Sequence, residues 1–476
     1  MTASFSATIA GQPVTTAATL GVVNPATAEV FATAPDCGAA ELDAAVDAAR
    51  AAFPGWRALP LAQRQEMVLA LGATIAEHKD ELHRLLTQEQ GKPHADAIGD
   101  VLGGAHWCKV YGRMDVPIEV TEDSADRRVE VRHTPLGVVG AIAPWNFPVI
   151  LAMMKAAPAL VAGNTLVLKP SPFTPLTTLR IGELARAIFP PGVFNVISGG
   201  DALGPLMTSH PGIDKISFTG STATGRKVME SASAGLKRIT LELGGNDAAI
   251  ILPDVDVDAV ARQVFAAAFS NSGQICVAVK RVYIHADIYD RFAAELVRLA
   301  AEARVGDGSE QGTRFGPVQN KQQYARIVEL IKDARDKCTK FLIGGEPIDR
   351  PGYFLPLTLI DNPPEDSRIV REEQFGPVLP LLKFDNVDDA VRRANDSPYG
   401  LGGQVWSGDA ERALEIGLQL ETGNVFINQV QAIYPHSPFG GHKTSGIGVE
   451  SAVHGLLAYT NAQTVAVSKK SVAEPG

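Results

Sequence analysis

Two short runs hold the side chains best suited to covalent chemistry. Ser272-Gly273-Gln274-Ile275-Cys276 sets a cysteine just after a glycine. A thiolate attacks a carbonyl carbon well, and glycine lets a bound molecule approach the backbone. Leu241-Glu242-Leu243-Gly244-Gly245 sets a carboxylate where an apolar run breaks into a glycine turn. Its flanking leucines imply partial burial, which raises a carboxyl pKa toward that of a working general base. In a third run, Ala143-Pro144-Trp145-Asn146-Phe147-Pro148, the Asn146 amide has N–H groups to offer a developing oxyanion. Taken singly, each residue also reads as structural: a buried cysteine, a strand-end glutamate, a turn asparagine. Cys37, Cys108 and Cys338 lack such settings and read as structural cysteines.

Three further runs suit a nucleotide. Phe218-Thr219-Gly220-Ser221-Thr222-Ala223-Thr224-Gly225 runs from a strand pattern into a helix pattern. Its glycines, hydroxyls and helix N-terminal N–H groups fit a pyrophosphate, although no Gly-x-Gly-x-x-Gly fingerprint is present. Lys169-Pro170-Ser171-Pro172 ends another apolar strand with an ammonium that can reach ribose hydroxyls or a phosphate. Glu372-Glu373-Gln374-Phe375-Gly376-Pro377 offers a carboxylate to a ribose and a ring to pack beside it. The plainer readings are a capped helix, a surface lysine and a solvated acidic pair.

These groups need a scaffold. Apolar runs at 138–143, 165–169, 193–198, 215–219 and 239–243 read as strands, and 153–162, 175–187 and 225–234 as helices. Such alternation predicts a doubly wound parallel sheet, whose ligands sit at the carboxyl ends of strands. Further on, 282–285 and 378–384 read as strands, and 288–303 and 322–337 as helices. The stretch 39–103 is helical in pattern. Arg128-Val129-Glu130-Val131-Arg132 alternates as a two-sided strand that extends a sheet or crosses to a partner, and 464–467 reads as another strand.

The chain has 476 residues, 45% hydrophobic and 20% charged, enough for two or three domains. A net charge of −10 does not suit a nucleic-acid binder. The four cysteines have neither zinc-site spacing nor the density of a secreted disulfide scaffold, so no metal is expected, and a reducing, cytoplasmic setting is. No apolar run reaches the ~18 residues of a membrane span.

In order, these runs resemble the aldehyde dehydrogenase superfamily, from about Asn24 to Val467. Gly91-Lys92-Pro93 and Pro438-Phe439-Gly440-Gly441 add to the likeness. The resemblance implies an α/β fold: a doubly wound Rossmann-like dinucleotide-binding domain (1–116 and 135–243), an α/β catalytic domain (244–445) and a small β oligomerisation element (117–134 and 446–476). It implies an NAD(P)-dependent enzyme, a homodimer or homotetramer, that oxidises a small aldehyde to a carboxylate. Cys276 attacks, Asn146 stabilises the oxyanion, Glu242 activates the hydrolytic water and Lys155 assists proton movement. The implied cofactor contacts are Ala143, Pro144, Trp145, Lys169, Ser171, Pro172, Gly200, Gly204, Phe218, Thr219, Gly220, Ser221, Gly225, Leu243, Glu373 and Phe375.

Two departures stand out. NAD-preferring members commonly carry glutamate where Pro172 stands, so NADP becomes admissible here. Met154 replaces a bulky aromatic of the substrate tunnel; His106, Trp107, Met153 and Ile275 are further candidates for its lining. No obvious arginine stands beside Cys276 to hold a substrate carboxylate, which argues against semialdehydes with an acid tail. Three other readings remain: a CoA-acylating relative, a non-catalytic protein on the same scaffold, and a cofactor-free thiol esterase.

Overall fold

The computed structural model describes residues 5–337 and 339–470; Cys338 lies outside them. The alternation read between 137 and 252 folds as expected. Strands Phe194–Val196, Thr165–Lys169, Val138–Ile142, Lys215–Thr219 and Arg238–Glu242 lie parallel in that spatial order. Successive strands thus step outward from Val138–Ile142 to one side, then to the other. That reversal leaves a crevice at the carboxyl ends, between Val138–Ile142 and Lys215–Thr219.

Both faces of this sheet are covered, which is why its strands read as unbroken apolar runs. Val139 and Ala141 point into one core with helices Pro148–Val161 and Leu176–Ala185. Val138 and Ile142 point into another with Leu42, Val46 and Ala49 of helix Ala39–Ala58. Helix Pro148–Val161 is central: every residue but Ile150 is buried. Its proline at the first position lacks only an N–H that no helix bond would have used.

A second, seven-stranded sheet has the order Lys340–Ile343, Thr358–Asp361, Val378–Phe384, Val279–His285, Asp247–Ile251, Gly402–Trp406 and Asn424–Ile427. It is parallel apart from the Lys340–Ile343 edge. Only two of these strands were anticipated from sequence. The others are short or glycine-bearing, which weakens a periodic signal. Strand Arg127–Pro135 is flanked within its own chain by Glu119–Asp123 and Thr460–Ser468, so it is not an edge. The open edges belong to its neighbours.

Helix Thr222–Ser233 rests on the first sheet through Gly225. A Cβ there would lie 2.5 Å from Leu243 Cδ2. Gly225→Ala is expected to cost about 1–3 kcal/mol by overpacking, read as a lower midpoint in thermal unfolding. An unchanged midpoint would show that the helix moves freely from the sheet.

Candidate active site

The crevice is a groove of about 700 Å³. Ala143, Pro144 and Trp145 continue one strand into it, and Lys169, Ser171 and Pro172 the next; Phe218, Thr219, Gly220 and Ser221 come from the third. Ser221 caps helix Thr222–Ser233, its Oγ accepting from Thr224 N at 3.2 Å, so the helix N-terminus opens on the groove. Gly200 and Gly204 line an adjoining cavity that shares Lys169 and Phe218. Leu243 and Gly225 do not line the groove; they pack on each other behind it.

Lys169 is buried, and desolvation lowers its pKa to about 8. Among the described residues its Nζ has one acceptor, Pro170 O at 3.4 Å. A buried ammonium so poorly served, beside a capped helix N-terminus, fits a ribose and pyrophosphate. Asp201, Asn320, Gln323 and Arg326 also line the groove and were not anticipated. Asn320 caps helix Lys321–Asp336 and the other two lie in its first turns, where no motif marks them in the sequence.

Beyond the groove lies the thiol. Helix Val257–Phe269 ends and the chain turns through three left-handed residues, Asn271 (φ 50°), Ser272 (φ 56°) and Gly273 (φ 74°). At Gly273 only glycine fits, because a Cβ would lie 2.2 Å from Gly376 O. The two non-glycine residues are held by their side chains. Asn271 Nδ2 donates to Asn146 O at 3.1 Å, and Ser272 Oγ to Gly316 O at 2.8 Å. This turn aims Cys276 into an apolar pocket of about 440 Å³.

Asn146 lines the same pocket. Its Nδ2 donates to Gln274 O at 2.9 Å, which leaves the second N–H of the amide free. Lys92 Nζ grips the Asn146 carbonyl at 2.8 Å, pairs with Asp100 Oδ2 at 2.9 Å and sits 3.9 Å from the Phe147 ring centroid. The Gly-Lys-Pro run is thus part of the site's support.

Glu242 ends its strand 4% exposed, and among the described residues neither carboxylate oxygen has a hydrogen-bond partner. Desolvation raises its pKa well above the ordinary value; Glu450 adds to this and Lys155 opposes it. Lys155 Nζ bonds Glu450 Oε1 at 2.5 Å, and both are buried. Glu450 escaped the sequence reading; its only sign was one carboxylate in the run Gly446-Ile447-Gly448-Val449-Glu450. Burial also pushes the thiols of Cys37, Cys108 and Cys276 up to about 12. What separates Cys276 is access to a pocket, with Lys280 near it as an opposing positive charge.

Trp145 and Phe375 meet edge to face, 5.3 Å apart, and Glu373 Oε1 accepts from Gly245 N at 3.1 Å. Of the residues assigned to the tunnel, Trp107 and Ile275 line the pocket and the others do not. Met153 and Met154 are buried in the core, and His106 is exposed. Phe147, Ile150 and Leu151 are the helix positions that face the pocket. Among the described residues no charged side chain lines it. Among the described residues no cluster of three or more His, Cys, Asp or Glu could hold a metal, and no helix is long and apolar enough to cross a membrane.

Solved structures share this architecture. The NAD+ complex of aldehyde dehydrogenase from Bacillus cereus superposes with a TM-score of 0.96 at 35% identity, over 98% of this chain and 97% of that one. An NADP-dependent enzyme from E. coli gives 0.94 at 37% identity, over 97% and 98%. The succinate-semialdehyde dehydrogenase [NADP(+)] GabD of Escherichia coli K12 is 39% identical over 92% of both chains. Residues 14–465 match the model of the aldehyde dehydrogenase family. The chain belongs to the aldehyde dehydrogenase family and oxidises an aldehyde with NAD or NADP.

Proposed function

We propose that the enzyme carries an apolar aldehyde, of medium-chain or aromatic type, through a thioester on Cys276 to a carboxylate. One observation carries the reading: Cys276 and Asn146 share an uncharged pocket, with Glu242 buried and unpartnered beside them. Cys276 attacks as the thiolate, its proton having left to solvent; the sulfur bonds the aldehyde carbon, and the carbonyl electron pair moves onto oxygen. The free Asn146 N–H and the Cys276 backbone N–H donate to that oxygen. The bound nicotinamide supplies the acceptor for the hydride that leaves this carbon. Glu242, once ionised, takes a proton from water, which attacks the thioester; the carbon–sulfur bond breaks and the thiolate returns. Lys155 and Glu450 carry that proton away.

Lys169 holds the adenine ribose, Gly220 and Ser221 the pyrophosphate, and Glu373 the nicotinamide ribose. Residues 1–116 and 135–243 form the dinucleotide-binding domain and 244–445 the catalytic domain. Residues 117–134 and 446–476 bridge subunits of a homodimer or homotetramer, through the open edge of Thr460–Ser468. Free thiols at Cys37, Cys108 and Cys276 suit a cytoplasmic setting.

Three outcomes test this. Cys276→Ala is expected to reduce aldehyde oxidation to background, followed by absorbance of the reduced nucleotide. Glu242→Gln is expected to release about one equivalent of reduced nucleotide in a burst. Turnover then falls on the order of 10²–10⁴-fold, and acylated Cys276 is seen by mass spectrometry. Because burial raises the Glu242 pKa and its ionised form is needed, wild-type turnover declines as pH falls, with a limb above the ordinary carboxylate range, while the variant loses that limb. A full-rate Glu242→Gln enzyme excludes the role. Pro172→Glu is expected to raise the KM for NADP on the order of tenfold, by repulsion of a 2′-phosphate. Unchanged NADP kinetics would show that position 172 does not face the ribose.

A further inference from the structure

Lys280 has no part in the chemistry above, yet it is only 3% exposed and packs against the Cys276 turn. Its Nζ donates to the carbonyls of Ile275 and Cys276, each at 2.7 Å. On the other side it lies 3.6 Å from Glu373 Oε1 and 6.0 Å from the Phe375 ring centroid. That same Glu373 oxygen accepts from Gly245 N. A Cβ at Gly244 would come within 2.2 Å of Glu373 Oε2, so the glycine turn after Glu242 is shaped around this carboxylate.

One ammonium therefore joins three segments distant in sequence: the turn bearing the thiol, the Glu373 segment, and the turn that follows the base. A lysine that merely filled a buried gap needs carbonyl acceptors of any origin. Here one acceptor is the nucleophile's own carbonyl, and the counter-ion is the carboxylate assigned to the nicotinamide ribose. The groups that act electrostatically on the thiol are Lys280, Glu242, Glu373 and Asp247. Lys280 is the one positive charge among them, and a positive charge favours the thiolate over the thiol.

We propose that Lys280 is a positioning residue of the reaction: its ammonium ties the Cys276 turn to the Glu373 carboxylate and supplies the positive charge opposite the thiolate. This rests on Cys276 as nucleophile and Glu373 as ribose ligand. It goes further in making one side chain couple thiol ionisation to cofactor seating. Cofactor bound at Glu373 then bears on the thiol through a single cation.

The test is the pH profile of Cys276 alkylation by iodoacetamide in the apoprotein, quantified by mass spectrometry on this cysteine, alongside the KM for NAD and NADP. Lys280→Gln keeps N–H donors for the two carbonyls and removes the charge. It is expected to move the alkylation midpoint up by about one pH unit, which is about a tenfold slower reaction at pH 7, and to raise the nucleotide KM several-fold. Lys280→Arg keeps the charge and is expected to restore the midpoint. Glu373→Gln is expected to move the midpoint down, in the opposite direction, while still raising the nucleotide KM. A loosened turn would not give shifts of opposite sign. An unchanged midpoint in Lys280→Gln, or an equal rise in Lys280→Arg, overturns the proposal. Should Lys280→Gln not fold, Glu373→Gln decides: a midpoint that stays or rises overturns it. Alkylation needs neither aldehyde nor nucleotide, so a wild-type enzyme without turnover would refute the reaction scheme and leave this test intact.

Discussion

The hydrogen bond from Asn146 Nδ2 to Gln274 O, 2.9 Å long, joins the two halves of the site. Asn146 follows a strand of the first sheet; Gln274 leads into a strand of the second. The amide meets the thiol only if both loops arrive in register. Their supports are correspondingly dense. The Asn146 carbonyl is held by Lys92 and Asn271, and Gln274 Nε2 donates back to Asn271 O at 2.9 Å. A buried amide left without its partner costs about 1–3 kcal/mol. That penalty ties the geometry of catalysis to folding itself.

A second constraint is desolvation. The site keeps ionisable groups out of water, so their protonation answers to their neighbours. Glu242 is pushed toward the acid form, by desolvation first and by Glu450 next. Lys155 and Glu450 are buried as a pair, so the charge of each has a partner close by. Lys169, by contrast, is buried with almost nothing to bind. Lys92, by comparison, is fully engaged by Asp100 and the Asn146 carbonyl.

The two cavities also differ in character. The larger groove is rimmed by hydroxyls, amides and charges; the thiol pocket is walled by Trp107, Phe147, Ile150, Val277 and Ile433. The two cavities are separated by the Ala143-to-Phe147 segment, which contributes to both. That segment lies at the switch point of the first sheet, where two adjacent strands lead away in opposite directions.

By itself the sequence determined the first sheet and singled out the side chains whose chemistry suits the reaction. Cys276, Glu242 and Asn146 lie in runs whose glycines and prolines are local punctuation, and strands buried on both faces appear as unbroken apolar stretches. Strand ends then place Lys169 and Thr219 at the carboxyl edge of that sheet. Only the tertiary structure decided the rest. Glu450, Lys280 and Lys92 look like ordinary charged residues until distant segments close around them, because burial and partner identity are not properties of a local run. The tunnel lining failed for the same reason. Met153 and Met154 are apolar, as a lining residue should be, but the angular position of a side chain on a helix is set by what packs against it. In helix Pro148–Val161, apolar on every side, no polar face marks which way is out; the neighbouring elements turned Ile150 and Leu151 toward the pocket and Met154 into the core.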